Sequence, residues 1–312
     1  IVVGTPGRIL DHLRRGTLNL KELQYLILDE ADEMLNMGFI DDVEAILAES
    51  NDYRRILLFS ATMPARIVEL SKRYMKDVEV LRVPSQEMPS SDMAEQIYLE
   101  VSDSDPFDAL TRIIDVEPEF YGIVFCRTKV AVDELVTRLT QRGYAAEGLH
   151  GDVSQAQREK ILKKFKNKQV TILAATDVAA RGIDINNLTH VINYSLPQDS
   201  ESYVHRIGRT GRAGNTGTAI TFISSSEYRQ FVMMQREIKV DIKKVPIPTA
   251  QNVVEIKKNR IKDELAEIIE NENYTEYGEM AADLLKDQSP EVAMAAVLRL
   301  AFKNELEESN YP

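Results

Sequence analysis

Leu26-Ile27-Leu28-Asp29-Glu30-Ala31-Asp32 runs three apolar residues directly into an acidic cluster. A short apolar run that ends abruptly in charge reads as a buried strand delivering carboxylates at its carboxyl end. Short apolar runs recur at Ile56-Leu57-Leu58-Phe59, Ile123-Val124-Phe125, Ile172-Leu173-Ala174 and Val191-Ile192. Helix-period stretches lie between or after these runs, at 40–49, 65–75, 130–141, 156–165 and 202–207. Strands apolar on both faces, alternating with helices, predict parallel pairing through βαβ units and a doubly wound α/β fold.

The alternation breaks at Pro84-Ser85-Gln86-Glu87-Met88-Pro89-Ser90-Ser91-Asp92, which reads as an exposed linker. Residues 1–84 therefore form one α/β domain, 85–94 a linker and 95–248 a second α/β domain. Pro246-Ile247-Pro248 stops the pattern. Beyond it, Ile261, Leu265, Ile268 and Ile269 fall at helical spacing, as do Met280, Leu284 and Leu285. Ser289-Pro290 reads as an N-cap followed by proline at the first helical position, after which Val292, Ala296, Val297 and Leu300 share a face. Residues 249–312 are thus a small all-helical region.

The chain of 312 residues carries a formal charge of −12, which by itself argues against a nucleic-acid partner. The acidity is uneven: residues 249–312 hold 14 acids and 7 bases, the rest 36 acids and 31 bases. A few placed arginines suffice for binding whatever the net charge. One cysteine, Cys126, excludes an intramolecular disulfide and suits a reducing cytosol. No stretch is apolar for long enough to span a membrane, and no basic-then-apolar leader is visible, so a cytoplasmic location is expected. The chain opens at Ile1 inside an apolar run, which reads as a fragment whose N-terminal part lies outside it.

Carboxylates at the carboxyl end of a parallel strand face the ligand crevice of such a sheet. There Asp29 could hold Mg²⁺ on a triphosphate through water, and Glu30 could orient or deprotonate the attacking water. Taken alone, an acidic pair after a strand is more often a solvated turn. Ser60-Ala61-Thr62 follows the next strand, and its hydroxyls could bond Asp32 or neighbouring backbone, or simply cap the next helix. Thr5-Pro6-Gly7-Arg8 opens a helix as cap, first residue and cation, which suits a phosphate or plain capping equally. His205-Arg206-Ile207-Gly208-Arg209-Thr210-Gly211-Arg212 places arginines at every third position, which on a helix share one broad face. Three guanidiniums with glycines between them suit a transferring phosphoryl group; a solvated basic helix would be served as well by lysines, and the run has none. In Ala174 to Asp184, Thr176 and the small residues could admit a nucleic-acid phosphate, and Asp184 could accept from a ribose hydroxyl. Gln155-x-x-Arg158 and Phe125-Cys126-Arg127-Thr128-Lys129 are each compatible with solvated surface.

In order and together, these segments resemble the DEAD-box RNA helicases of superfamily 2, across about residues 1–240. The resemblance implies two RecA-like parallel-sheet domains, the first incomplete here, that close on ATP and RNA and separate duplexes locally. It implies that Asp29 holds Mg²⁺, that Glu30 positions water, and that Asp32, Ser60 and Thr62 link hydrolysis to unwinding. His205 lies in the motif from which Arg209 and Arg212 reach the γ-phosphate across the domain cleft, and Asp184 touches the ribose. Thr5, Arg8, Arg127, Gln155, Arg158 and Thr176 lie in RNA-contacting motifs, so single-stranded and duplex RNA would be held by backbone with little sequence preference. Two departures stand out. No G-x-x-x-x-G-K-[ST] segment occurs in the chain, so negligible ATP turnover is expected of it alone, and a non-catalytic RNA-binding or dimerising fragment is the alternative reading. The acidic tail lies outside the shared core; its position is similar to the dimerisation region of bacterial cold-shock-type members, which implies a homodimer through 249–312, although its apolar faces could instead fold back on the second domain.

Overall fold

The computed structural model describes residues 1–60, 62–81, 94–101, 106–180, 183, 185, 188–211, 217–271 and 274–311. The chain divides into two compact units, Ile1–Pro84 and Ser85–Pro312. Most of the expected linker, 85–93, lies outside the described residues.

The first unit runs α1 (Pro6–Arg14), β1 (Tyr25–Leu28), α2 (Ala31–Asn36), α3 (Ile40–Glu49), β2 (Arg55–Leu58) and α4 (Ala65–Tyr74). Thr5 sits at the N-cap of α1 with extended backbone and Pro6 follows at the first helical position, but the Thr5 hydroxyl makes no capping bond. β1 and β2 pair in parallel from Tyr25 opposite Arg55 to Leu28 opposite Leu58. Leu26 and Leu28 bury against Val43, Leu47, Ile67 and Leu70. The expectation of strands buried on both faces fails here. Side chains alternate along a strand, and only one set meets the helices. Tyr25, Ile27, Leu57 and Phe59, on the other set, are exposed.

The second unit is built on seven parallel strands in the order β5-β6-β4-β7-β8-β3-β9. In chain order its elements are β3 (Ala94–Glu100), α5 (Pro106–Val116), β4 (Gly122–Phe125), α6 (Lys129–Gln141), β5 (Ala146–Leu149), α7 (Gln155–Lys166), β6 (Ile172–Ala175), α8 (Asp177–Ala180), β7 (His190–Asn193), α9 (Ser200–Ile207), β8 (Gly217–Ile223), α10 (Tyr228–Ile238) and β9 (Lys243–Lys244). The central strands β4, β6 and β7 are buried at every residue, as continuous apolar runs in a covered parallel sheet require. Their two faces feed two cores, one around Val124, Leu135 and Phe222, the other around Phe125, Phe165 and Leu173.

Four strands of this unit, β3, β5, β8 and β9, escape the hydrophobic pattern, β3 and β8 because polar residues stand in buried places. Gln96 of β3 is buried and accepts from the Tyr203 hydroxyl at 2.9 Å. Thr221 of β8 is buried and accepts from Asn193 at 3.0 Å. β5 is only Ala-Glu-Gly-Leu. A buried polar group with a partner costs little, but it erases the apolar signature by which a strand is recognised.

The tail forms α11 (Ala250–Glu270), α12 (Gly278–Leu284) and α13 (Pro290–Leu306). Ser289 caps α13 and Pro290 follows it. α11 packs on α5, burying Val253, Val254 and Ile261. The chain then returns. Tyr311 buries against Val253 and Val254, and its hydroxyl donates to Asp115 at the end of α5. Asp115 also accepts from the Tyr144 hydroxyl at 3.0 Å and pairs with Lys257 of α11 at 2.9 Å. Arg112 donates to the carbonyls of Pro248 and Tyr311, both at 3.2 Å. One part of the tail therefore folds back on the second unit. The other does not: Met280, Leu284, Val292, Met294, Val297 and Leu300 remain exposed.

Burial, and then the neighbouring Asp115 carboxylate, hold the Tyr144 and Tyr311 hydroxyls protonated well above the usual tyrosine value of 10.0. Because the folded values are raised, this contribution is complete below about pH 10 and is lost as the pH climbs towards them. Tyr311→Phe should weaken docking of α11 by about 2 kcal/mol, the worth of a hydrogen bond to a charged acceptor. Amide exchange along α11 at neutral pH reads this directly, and wild-type protection there should fall above about pH 10. Unchanged exchange in the variant would show that the Asp115 cluster does not hold the tail.

Candidate functional site

The first group of chemistry-bearing residues lies at the carboxyl ends of β1 and β2. Phe59 donates to Leu28 at 2.8 Å and Ala31 to Phe59 at 3.0 Å, so the ladder continues just past both strands. The chain must then turn at once into α2. Glu30 makes that turn in the left-handed region, at φ 51° and ψ 50°. A non-glycine residue pays roughly 1–2 kcal/mol for that conformation. Its N–H is held by Asp29 Oδ1 at 3.0 Å. The result projects Asp29 and Glu30 as exposed carboxylates, neither with a cationic partner among the described residues.

Asp32 does the opposite. It is 1% exposed. Its Oδ2 accepts from the Thr62 N–H at 2.6 Å and the Thr62 hydroxyl at 3.0 Å, and its Oδ1 accepts from the Glu33 N–H at 3.1 Å. Ser60 closes the circuit: its Oγ accepts from the Asp32 N–H at 3.1 Å and donates to the Thr62 carbonyl at 2.6 Å. Within four residues the chain thus supplies two solvated carboxylates and one buried carboxylate that clasps the next strand's loop. Hard, oxygen-only donors of the first kind fit a hydrated Mg²⁺. Asp32, satisfied by the loop, is not available for one. Elsewhere in this unit, Arg8 donates to Asp11 at 2.9 Å on its own helix.

The second group lies at the carboxyl edge of the seven-stranded sheet. Arg127 follows β4 and pairs with Glu227 at 2.9 Å. Thr128 caps α6 by accepting from Ala131. Lys129 bonds Asp152 at 2.6 Å, which holds the Asp152 carboxyl below and the Lys129 ammonium above their ordinary values. Gln155 opens α7 and donates to Glu159 at 3.0 Å, while Arg158, one turn on, donates to the Ala179 carbonyl at 2.7 Å. Thr176 follows β6 and donates its N–H to Leu149 at 3.2 Å. Cys126, beside Arg127, is no nucleophile: burial pushes its thiol up to about 12.

The arginine run departs from expectation. It is not one helix. α9 ends at Ile207, Gly208 caps it, and Arg209 and Thr210 form a turn whose N–H groups donate back to Arg206 and Ile207. Arg206 lies on α9 and Arg209 beyond its end, so these two do not share a helical face. Arg206 is 3% exposed and serves the fold. Its guanidinium bonds both Asp177 oxygens at 2.6 and 2.8 Å, Asn193 Oδ1 at 3.0 Å and the Ser195 carbonyl at 2.9 Å, and it lies 5.0 Å from the centre of the Phe125 ring. His205, Arg206 and Arg209 line a small cleft with Phe125, Asp177, Ala180 and Ser202. Arg209 Nη1 donates to the Ile183 carbonyl at 3.0 Å. The turn itself is pinned on both sides: Thr210 donates to the Leu188 carbonyl, and a Cβ on Gly217 would lie 1.9 Å from Thr210 Oγ1. Only glycine fits at the start of β8. Asp184 and Arg212 lie outside the described residues.

Sequence reasoning missed Asp177, Asn193, Glu227 and Gly217, which position arginines rather than perform chemistry. Asp177 stands within a quoted motif, and an acid opening a helix after a strand was the available signal.

Three family models match the chain in order: "DEAD/DEAH box helicase" over residues 1–70, "helicase conserved C-terminal domain" over 105–214 and "RNA helicase DeaD dimerization domain" over 248–309. The chain is 48% identical over 300 residues to the DEAD-box ATP-dependent RNA helicase CshA of Geobacillus kaustophilus, covering 96% of this chain and 64% of that protein. It is 47% identical over 303 residues to CshA of Bacillus subtilis, covering 97% of this chain and 61% of that one. The chain thus spans less than two thirds of the length of these relatives. Among solved structures, S. cerevisiae Dbp5 bound to RNA and ADP BeF3 matches with a TM-score of 0.71 and 30% identity, over 82% of this chain and 68% of that chain. Parallel RecA-like sheets, an Asp-Glu-Ala-Asp turn clasped by Ser60 and Thr62, and the ordered family matches lead to one assignment: the chain belongs to the DEAD-box RNA helicase family.

Proposed function

We propose that this chain belongs to an ATP-dependent RNA helicase, in which ATP hydrolysis stimulated by RNA drives local separation of duplexes. The observation that carries this reading is the pairing of two exposed carboxylates with one clasped carboxylate at the β1 turn. Asp29 would hold Mg²⁺ through water, and the metal when bound would offset charge on the triphosphate. Glu30, raised into solvent by its left-handed backbone, orients or deprotonates the attacking water. Asp32 carries any shift at that turn directly to Ser60 and Thr62, the route by which hydrolysis would be coupled to RNA. Arg209 and Arg212, with His205 of the same motif, stabilise charge on the transferring phosphoryl group, and Asp184 contacts the ribose. Thr5, Arg8, Arg127, Gln155, Arg158 and Thr176 hold RNA by its backbone, Arg8 and Arg127 exchanging Asp11 and Glu227 for phosphate.

In domain terms, residues 1–84 and 95–248 are the two RecA-like parts, 85–94 the linker and 249–312 the dimerising region. The exposed apolar side chains of α12 and α13 support that last role. Exposed apolar side chains on an otherwise acidic segment suit an interface, here with a second copy. Among the described residues no helix is long and apolar enough to cross a membrane, and the reading places the protein in the cytoplasm. A second reading applies to the 312 residues as they stand. They contain no G-x-x-x-x-G-K-[ST] segment, which favours an RNA-binding, dimerising module over a complete ATPase.

In the protein as the cell makes it, Glu30→Gln should lower RNA-stimulated ATP turnover by about 10²-fold or more while ATP affinity stays within a few-fold. Unchanged turnover would remove Glu30 from this role. Light scattering of the 312-residue chain should give the mass of two copies, and Leu300→Glu should give one, since a charge at the centre of an apolar interface is left unpaired. A wild-type chain that stays monomeric at high concentration would discount the dimer.

A further inference from the structure

The lysines from the middle of α7 to just past its end have no part in the chemistry described above. From Arg158 to Lys168 the sequence holds six cations and one carboxylate, in a chain whose net charge is −12. Lys164 is paired with Glu147, and Arg158 is bonded to the Ala179 carbonyl. Lys160, Lys163 and Lys168 are exposed and have no carboxylate partner among the described residues. Lys160 and Lys163 are three apart and share a helical face.

Lys168 adds an independent observation. α7 ends in a Schellman motif: the Lys168 N–H donates to Phe165 at 2.9 Å and the Gln169 N–H to Lys164 at 3.0 Å. The residue after the cap must then be left-handed, and Lys168 has φ 55°. The same position is glycine after α1, α2 and α6, at Gly16, Gly38 and Gly143, all with positive φ. Lysine there carries backbone strain that glycine would not (Lys239, after α10, is the other lysine so placed). The Lys168 ammonium sits 5.8 Å from the centre of the Tyr121 ring, which holds it beside the helix end.

The position matters. α7 leaves the carboxyl end of β5 and delivers the chain to the amino end of β6. Twelve helical residues span about 18 Å, so Lys163 and Lys168 lie towards the opposite edge of the sheet from Arg127, Gln155 and Thr176, with Lys160 midway along the helix. The exposed residues around the lysines are polar, and Phe165 is fully buried. A protein-binding site needs an exposed apolar centre, which this surface lacks. Hydrated ammonium groups without base-reading side chains suit a phosphate backbone.

We propose that Lys160, Lys163 and Lys168 form a second phosphate-docking surface, on which RNA beyond the segment held by the motif residues is retained. The proposal rests on the RNA-helicase reading and extends it to a different edge of the molecule. Fluorescence anisotropy with the 312-residue chain tests it, using a short single strand and the same strand continued into a long hairpin. The triple Lys→Gln variant should bind the hairpin RNA about tenfold more weakly, with the slope of log affinity against log salt shallower by about two to three. Its affinity for the short strand should not change. Lys168→Gly alone should weaken hairpin binding while keeping or raising the melting temperature, because it relieves the left-handed strain; a merely structural lysine would lower both. Equal affinity and salt slope for the hairpin RNA would overturn the proposal, as would an equal loss for both RNAs. If the hairpin is held unchanged but polyglutamate binding is lost, the surface belongs to an acidic protein instead. A wild-type chain that binds neither RNA would fail earlier, at the RNA-helicase reading itself.

Discussion

The second unit hangs on a buried guanidinium. Arg206 joins α9 to α8 through Asp177, to β7 through Asn193, and to the loop after β7 through Ser195, with the Phe125 ring of β4 against its face. Asn193 passes the connection to Thr221 in β8. A charge this deep costs several kcal/mol to desolvate, and only a complete set of donors and acceptors offsets it. Lysine has neither the planar fork for Asp177 nor the further donors for Asn193 and Ser195. Everything at the carboxyl edge of the sheet takes its position from this group. His205 precedes it, Arg209 follows it by three residues, and Asp177 opens the helix that carries Ala179, the acceptor for Arg158.

The first unit follows a related logic on a smaller scale. Its exposed acids are held still by neighbours that are not exposed. Asp32 gives both oxygens to backbone and hydroxyl donors. Glu30 can then keep an unfavourable backbone conformation because the ladder before it and the helix after it leave no other way to turn. Strain in one residue and saturation in another two positions on are two halves of one local device.

How far was this legible in residues alone? The strands of continuous apolar character stand out, since burial on both faces leaves no ambiguity in β4, β6 and β7. The helices at 40–49 and 129–141 are visible because their apolar spacing is regular. β3 and β8 are not, because Gln96 is bonded by Tyr203 and Thr221 by Asn193, pairings that no periodicity reveals. In the site, the carboxylates of the Asp-Glu-Ala-Asp turn can be read directly, yet the division of labour between Glu30 and Asp32 depends on a turn of the backbone. The spacing of the arginines misleads for the same reason. A three-residue repeat implies one face only while the helix lasts, and α9 stops after Arg206-Ile207. The tail offers amphipathic faces without saying which are covered; Asp115, one acid among fifty, decides it.

Asp115 and Tyr311 are 196 residues apart. A chain synthesised from its N-terminus at about 5–20 residues per second leaves Asp115 without that partner for roughly 10–40 s. During that interval the sheet around α5 can form, with Tyr144 already on the carboxylate, while the groove meant for Tyr311 stays wet. The residue that seals the joint between the tail and α5 is thus made long after the unit on which it docks. Vectorial synthesis thereby sets an order of events: the sheet around α5 folds first, and the helical tail is fixed to it afterwards.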